Sequence, residues 1–293
     1  MTKIPNFFII GSAKSGTTAI NDYLDQHPNI CMARKKESHY FAFKDMNVSY
    51  AGNGDMGASD IVSDEDEYMN LFNNSRKEDF LGESSVFYIF YSYAAKRIYE
   101  VSPNAKIVAI LRNPVDRAYS NYWYLKGIGR EKCASFERAL NKESERKEGN
   151  WEPIWFYKKL GLYCKQLKPY YDIFAKDQIK VIIYDDFKEN PNKILRELHT
   201  FVGAPQHDVT SSVHPKKSGR VTNSFIAYLL NNAYIKNILK TIVPTVIWSV
   251  MQKKFITKPR MLGTTRNNLI NYFTNDIEEL EVLIERDLSA WKR

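Results

Sequence analysis

A glycine-bounded loop near the start of the chain has the composition of an anion-binding turn. It reads Gly11-Ser12-Ala13-Lys14-Ser15-Gly16-Thr17-Thr18, after an apolar run at Asn6–Ile10 and before a helical pattern at Thr17–His27. Glycines permit a tight turn that brings backbone N–H groups close to an anion, and the following helix N-terminus adds partial positive charge. We therefore expect this loop to hold a phosphate group, with Lys14 as the nearby cation.

The position of the lysine distinguishes this loop from the P-loop of nucleoside triphosphatases. That P-loop has its lysine directly after the second glycine, whereas here Thr17 occupies the place and Lys14 precedes Gly16 by two residues. The displaced lysine favours a contact beside a phosphate bridge, where charge grows on a leaving group. A P-loop kinase or NTPase remains an alternative, because Val181–Asp186 resembles a strand that ends in an acidic residue.

A second group of residues follows another apolar run, Lys106–Leu111. Arg112 comes directly after this predicted strand, and Asn113-Pro114 has the form of a helix cap and first turn. Arg112 would thus lie at the carboxyl edge of a parallel sheet, where open α/β folds bind ligands. Together with Ser120 on the following helix, it could grip a second phosphate.

The two motifs together resemble those of the PAPS-dependent sulfotransferase family, where PAPS is 3′-phosphoadenosine 5′-phosphosulfate. The family's 5′-phosphosulfate loop is similar to Gly11–Thr18, and its 3′-phosphate motif is similar to Leu111–Ser120. Four further segments resemble glycan or bacterial sulfotransferases: Lys36–Phe41, Gly82–Ser85, Gly161–Tyr163 and Asp276–Trp291. The resemblance covers most of the chain and is weakest over residues 205–260.

The resemblance implies a role for each matching residue. Lys14 would contact the bridging oxygen of the phosphosulfate, and Glu37 would be the general base with His39 beside it. The remaining implied contacts are Ser15, Gly16, Thr17 and Thr18 to the 5′-phosphate and Arg112 and Ser120 to the 3′-phosphate. The family's late basic loop has two loose candidates, Arg220 and Lys258–Arg260, of which Arg220 is favoured. Ser84 departs from the lysine that glycan enzymes often carry there.

The chemistry of sulfuryl transfer agrees with these roles. An in-line displacement needs positioned reactants, a base for the acceptor and a cation for the leaving group, but no metal, because there is no triphosphate to neutralise. Glu37 and His39 are two residues apart and could act as a pair. A carboxylate serves as the base if burial raises its pKa toward neutrality. The alternatives are a surface ion pair of Glu37 with Lys35 or Lys36, and a structural role for His39.

Composition narrows the class of protein. Of 293 residues, 44% are hydrophobic and 14% aromatic, which excludes disordered and fibrous chains. The formal charge of +8 indicates an anionic partner or substrate. A nucleic-acid or membrane-surface module is disfavoured, because the basic clusters Arg34–Lys36 and Lys253–Lys258 are small. Three distant cysteines argue against a disulfide framework and a cysteine-rich zinc site; they are Cys31, Cys133 and Cys164.

Apolar runs alternate with helical patterns along the chain, which predicts an α/β, P-loop-containing three-layer fold with a central parallel sheet and a helical C-terminal part. We expect one domain over 1–293, with residues 205–260 shaping an acceptor pocket or lid. Lysines and Pro244 within Ile226–Met251 argue against a membrane span. With no anchor of the kind that Golgi members carry, we expect a cytoplasmic enzyme that sulfates a hydroxyl, amine or guanidinium-type nitrogen of a small molecule or saccharide.

Overall fold

Five short parallel strands form the centre of the fold, seen in a computed structural model that describes residues 4–76, 79–208, 220–221, 256–257 and 259–293. The strands lie in the order β2-β3-β1-β4-β5. They are β1 (Phe7–Gly11), β2 (Ile30–Met32), β3 (Phe80–Ser84), β4 (Lys106–Leu111) and β5 (Ile179–Ile183). Because all five run in one direction, their carboxyl ends meet at one edge of the sheet.

Apolar residues on both faces of the sheet are covered by helices. In β1, Phe8 and Ile10 belong to one buried cluster, and Phe7 and Ile9 belong to another. Successive side chains of a strand point to opposite faces, so a strand that is apolar throughout requires a helical layer on each side. This arrangement confirms the predicted three-layer α/β fold.

Eleven α-helices lie within the described residues. They are α1 (Thr17–Leu24), α2 (Tyr40–Phe43), α3 (Glu65–Asn70), α4 (Tyr93–Val101), α5 (Pro114–Gly127), α6 (Phe136–Asn141), α7 (Glu143–Glu148), α8 (Tyr163–Tyr171), α9 (Tyr184–Glu189), α10 (Pro191–Val202) and α11 (Gly263–Ile284). The predicted helical C-terminal part is α11, which packs on α8 through buried Leu269, Phe273, Ile277 and Leu280. A short 3-10 turn at Ser289–Lys292 follows and buries Trp291.

The helical pattern at Thr17–His27 ends earlier in the structure, at Leu24 in α1. The sequence also predicts single helices over Phe136–Lys147 and Leu160–Phe174, and the structure gives both different bounds. The pattern Phe136–Lys147 forms two short helices, α6 and α7, that meet at Lys142. The pattern Leu160–Phe174 forms a helix only from Tyr163, after a 3-10 turn at Lys159–Gly161. Gly161 lies so close to Phe273 that a Cβ atom there would stand 2.8 Å from the ring. Close packing against α11 therefore shapes the start of α8.

The segment predicted to shape an acceptor pocket or lid, residues 205–260, lies largely outside the described residues. Two short strands from it are described, β6 (Arg220–Val221) and β7 (Ile256–Thr257), and they pair antiparallel. Over the ranges that the structure covers, no helix has both the length and the apolar character needed to cross a bilayer.

Candidate active site

The glycine-bounded loop connects the carboxyl end of β1 to α1. Gly16 has a φ of +97° and precedes the first residue of α1, whose N-terminus has no side-chain capping hydrogen bond. Uncapped N–H groups and the helix dipole suit an anion. Within the loop, the hydroxyl groups of Ser12 and Ser15 lie 2.7 Å apart, and the Ser12 N–H donates to the carbonyl of Ile110 in β4 at 2.8 Å. The neighbouring strand therefore fixes the loop.

Arg112 lies beside this loop, because β4 is the neighbour of β1. Its Nη1 donates to the carbonyl oxygen of Lys14 at 3.4 Å, and its guanidinium lies 4.9 Å from the centre of the Tyr184 ring. The Tyr163 hydroxyl donates to the Arg112 carbonyl at 2.9 Å. The fold thus brings together the two predicted anion-binding motifs, which are almost one hundred residues apart in sequence.

Helix α5 carries the rest of the second motif. The side chain of Asn113 accepts hydrogen bonds from the N–H groups of Val115 and Asp116, and Pro114 occupies the first turn, as predicted from the sequence. Ser120 is buried on the same helix. The predicted contacts Ser15 and Thr17 are also buried, whereas Lys14, Gly16 and Thr18 are half-buried.

Aromatic rings that the sequence did not single out contact both cations of the site. Lys14 Nζ lies 3.8 Å from the centre of the Tyr124 ring near the end of α5. Tyr184 lies under Arg112, and a Cβ atom on Gly16 would stand 3.1 Å from the Tyr184 ring. The sequence held a signal for Tyr184, because this residue directly follows β5. It must therefore lie at the carboxyl edge of the sheet, where Arg112 also lies. No comparable signal marked Tyr124 within a helix rich in aromatic residues.

Glu37 is held by the end of β3. Its N–H donates to the Ser84 carbonyl at 2.9 Å, and its Oε2 accepts from the Val86 N–H at 2.7 Å. Its Oε1 pairs with Lys36 Nζ, and the side chain is 29% exposed. The ion pair considered as an alternative is therefore present, but the Val86 N–H also holds the carboxylate, and the bond from the Glu37 N–H to Ser84 fixes the backbone at the sheet edge.

His39 lies next to Glu37 and is almost completely buried. Its Nε2 is 3.8 Å from Glu37 Oε2, and its ring stacks on Phe87 with centroids 5.0 Å apart. The Nδ1 atom has no hydrogen-bond partner among the described residues. Glu37 and His39 are therefore adjacent in space, as the sequence predicted.

The protonation states of this pair differ from expectation. Burial opposes ionisation of Glu37, but Lys36, His39 and the Val86 N–H outweigh it, so the pKa of Glu37 lies below its ordinary value. The condition stated from the sequence, that burial brings this pKa toward neutrality, is therefore not met. Burial also lowers the pKa of His39 to about 4, against the opposing effect of Glu37. At neutral pH the pair is thus a carboxylate beside a neutral imidazole.

The acidic residue that ends Val181–Asp186 is paired with an arginine. Asp186 accepts two hydrogen bonds from Arg286 Nη2, both at 3.1 Å, and lies in α9. In the described part of the chain, no cluster of three or more histidine, cysteine, aspartate or glutamate residues could hold a metal ion. These contacts give no support to the kinase or NTPase alternative.

The late basic loop is described only in part. The backbone of Arg220 lies in β6, which runs close to α5, the helix of Ser120. The alternative, Lys258–Arg260, includes an undescribed residue, but the Pro259 carbonyl accepts a hydrogen bond of 2.8 Å from Tyr119 of α5. Both candidates thus approach the same helix.

Comparison with known proteins decides the family. The model of the sulfotransferase domain matches residues 5–228. The chain belongs to the sulfotransferase family. A crystal structure of a sulfotransferase from Alicyclobacillus acidocaldarius is 37% identical, with a TM-score of 0.79 over 99% of this chain and 100% of that one. The family predicted from the two motifs and the predicted fold are therefore confirmed.

Two curated relatives show a more distant similarity. Membrane-associated sulfotransferase kil1 of Dictyostelium discoideum is 34% identical over 147 residues, which are 48% of this chain and 28% of the relative. Bifunctional heparan sulfate N-deacetylase/N-sulfotransferase 3 of Mus musculus is 28% identical over 211 residues, which are 70% of this chain and 23% of the relative. The sulfotransferase thus spans about a quarter of the length of these relatives.

Proposed function

We propose that this sulfotransferase moves the sulfuryl group of PAPS to a nucleophilic group of a saccharide or small molecule. The hydrogen bond from Arg112 to the Lys14 carbonyl is the observation that carries the proposal. It joins two anion-binding motifs at one sheet edge, and a donor with separate 5′ and 3′ phosphate groups requires two such sites.

In this proposal the donor's two ends bind to different elements. Ser15, Gly16, Thr17 and Thr18 hold the 5′-phosphate at the N-terminus of α1, where backbone N–H groups and the helix dipole favour an anion. Arg112 and Ser120 hold the 3′-phosphate, with Arg220 as a further candidate from β6. The planar guanidinium of Arg112 lies on Tyr184 and is thereby oriented for bidentate recognition.

Transfer of the group needs a cation at the leaving oxygen and a base for the acceptor. The acceptor atom bonds to sulfur, the bond from sulfur to the 5′-phosphate oxygen breaks, and Lys14 stabilises the charge that remains there. Glu37 takes the acceptor proton, with His39 beside it as the alternative base. The low pKa of Glu37 is compatible with this role, because the acceptor atom becomes strongly acidic once its bond to sulfur forms.

The names of two relatives suggest which class of acceptor to propose for this chain. One relative is named a heparan sulfate N-sulfotransferase and another, 24% identical over 250 residues, is carbohydrate sulfotransferase 15 of Homo sapiens. We therefore propose a saccharide as the first acceptor to test, with an amine or a hydroxyl group as the nucleophile.

A donor and an acceptor experiment test the proposal. The desulfated donor product, 3′-phosphoadenosine 5′-phosphate (PAP), should bind without metal in a calorimetric titration, whereas ATP with Mg²⁺ should bind far more weakly. Radiolabelled sulfate from PAPS should then appear on a glucosamine-containing oligosaccharide with free amines. Transfer to the N-acetylated form of the same oligosaccharide would identify a hydroxyl acceptor.

Two variants connect the activity to the proposed residues. Lys14→Ala and Glu37→Gln should each lower transfer by about a hundredfold or more, because each removes a group that acts only on the transition state. Full activity of Lys14→Ala would refute the mechanism, and full activity of Glu37→Gln would make His39 the base. Tight binding of ATP with Mg²⁺ and none of PAP would restore the kinase alternative.

A further inference from the structure

A buried carboxylate that the proposed mechanism does not use lies next to the base pair. Glu83, near the end of β3, is fully buried. Its Oε1 accepts hydrogen bonds from the hydroxyl groups of Ser38 at 2.9 Å and Ser85 at 2.6 Å, and its Oε2 accepts one from Tyr68 at 3.4 Å. Burying a carboxyl group costs free energy unless hydrogen bonds compensate for the lost water. The groups that make these hydrogen bonds therefore indicate which part of the structure Glu83 supports.

The two serines connect Glu83 to the backbone that follows Glu37. Both serine hydroxyl groups donate to Glu83, so the serine oxygens are left to accept. Ser85 Oγ accepts from the N–H of His39 at 3.0 Å, and Ser38 Oγ accepts from the N–H of Tyr40 at 3.3 Å. Glu83 thus determines which way these hydroxyl groups face, and their oxygens satisfy the N–H groups of His39 and Tyr40 at the start of α2.

This stretch of backbone needs such support. Glu37 has a φ of +61° and His39 a φ of +56°, and both lie in the left-handed region that side chains other than glycine disfavour. A residue other than glycine is strained in this region and persists there only where neighbouring contacts hold it. The contacts come from the end of β3, because Ser84 and Val86 bond to Glu37 while Ser85 bonds to His39.

We propose that Glu83 is a positioning residue for transfer, which holds Glu37 and His39 in their left-handed conformations through the hydroxyl groups of Ser38 and Ser85. The inference rests on the proposed role of Glu37 and His39 as the base pair. The acidic residue within Gly82–Ser85 therefore contributes to catalysis without contacting a substrate.

Substitutions that remove or keep the acceptor oxygen test this role. Glu83→Ala should lower kcat by about tenfold, because a small displacement of reacting groups has a large effect on rate. The Kd for PAP and the KM for PAPS should stay within about twofold, since the hydrogen bonds that the Glu83 side chain makes to described residues go to Ser38, Ser85 and Tyr68 and not to the loop Gly11–Thr18. Glu83→Gln keeps an oxygen for the two serines and should retain most of the wild-type kcat.

A matched control separates positioning from general stability. Glu131 is another buried glutamate, bonded to Tyr157 and Arg146 in the region after α5. Glu131→Gln should lower Tm without lowering kcat. If Glu83→Ala does not fold, Ser85→Ala provides the same test, because it removes the acceptor of the His39 N–H while Glu83 stays in place.

Hydrogen exchange gives a measurement that does not depend on turnover. The amides of His39 and Tyr40 should be protected in the wild type and in Glu83→Gln, and should exchange about tenfold faster in Glu83→Ala or Ser85→Ala. If the wild type shows no sulfuryl transfer, the proposed function is refuted, but the hydrogen-exchange comparison still tests whether Glu83 positions this backbone. The inference is overturned if Glu83→Ala changes neither kcat nor these amides, or if Glu83→Gln is as impaired as Glu83→Ala.

Discussion

The ammonium group of Lys14 lies 3.8 Å from the centre of the Tyr124 ring, so α5 contacts the anion-binding loop through its own aromatic side chain. Tyr124 is 37% exposed, and a cation–π contact at such a site contributes about 0.5–1 kcal/mol. We expect Tyr124→Leu to lower kcat by about two- to fivefold, because Lys14 loses this orientation. Tyr124→Phe keeps the ring and should keep kcat. Steady-state rates at saturating PAPS test this, and equal rates for all three proteins would contradict it.

Arg112 should carry much of the affinity for the doubly phosphorylated nucleotide. Arg112→Ala removes a charge-assisted contact of about 1.5–3 kcal/mol, so the Kd for PAP should rise by about ten- to a hundredfold in a calorimetric titration. Arg112→Lys should recover only part of the loss, because lysine lacks the planar fork.

A surface arginine provides the control for that experiment. Arg76 pairs with Asp79 just before β3, at the amino end of the strands, and its side chain is 63% exposed. Arg76→Ala makes the same change in net charge and should leave the Kd for PAP unchanged. An equal effect of both substitutions would mean that Arg112 acts only through the overall charge of the protein.

The ion pair between Lys36 and Glu37 should determine how transfer responds to acid. A base must be ionised, and Lys36, His39 and the Val86 N–H outweigh burial and hold the pKa of Glu37 below its ordinary value, so kcat should stay constant through neutral pH and fall only in acid. Lys36→Met removes an attraction that favours the carboxylate and should move this fall to higher pH. Lys35→Met makes the same charge change with a side chain that contacts Ser59 instead and should move it less. If Lys36→Met does not change the pH at which kcat falls, Glu37 is excluded as the group whose protonation causes this fall.

A histidine outside the site should make folding sensitive to acid. His199 in α10 is fully buried, neither of its ring nitrogens has a hydrogen-bond partner among the described residues, and burial lowers its pKa to about 4 from 6.5. The unfolded chain therefore binds a proton at His199 more readily than the folded protein does. The folded state keeps its full stability above pH 6.5, and protonation of this histidine lowers the free energy of unfolding as the pH falls toward 4.

The substitution His199→Leu isolates this effect. The shift from 6.5 to about 4 corresponds to about 3 kcal/mol of unfolding free energy. Urea unfolding at several pH values should show a shallower decline between pH 6.5 and 4 for His199→Leu than for the wild type. An identical decline of the unfolding free energy in both proteins would assign the acid sensitivity to other groups. The first of these to test is His39, which is also buried and has a lowered pKa.

Local sequence patterns predicted the strands and the longer helices well. The predicted strand Lys106–Leu111 is β4 with the same bounds, and the predicted cap Asn113 begins α5, because apolar patterns and capping residues act over a few neighbouring positions. The short helix α2 was not predicted, since its first N–H groups are satisfied by Ser38, Ser85 and Tyr88, whose positions depend on the end of β3.

The sequence by itself determined the family and the parallel α/β architecture, because each rests on short motifs beside a recognisable strand or helix, and it predicted the candidate residues that bind the donor and act as base. Only the tertiary structure decided the contacts of Lys14 with Tyr124 and of Arg112 with Tyr184, and the low pKa of Glu37. Those properties depend on charges and rings from elements far apart in the chain. Spacing along a sequence carries no information about such distances until the sheet brings its strand ends together.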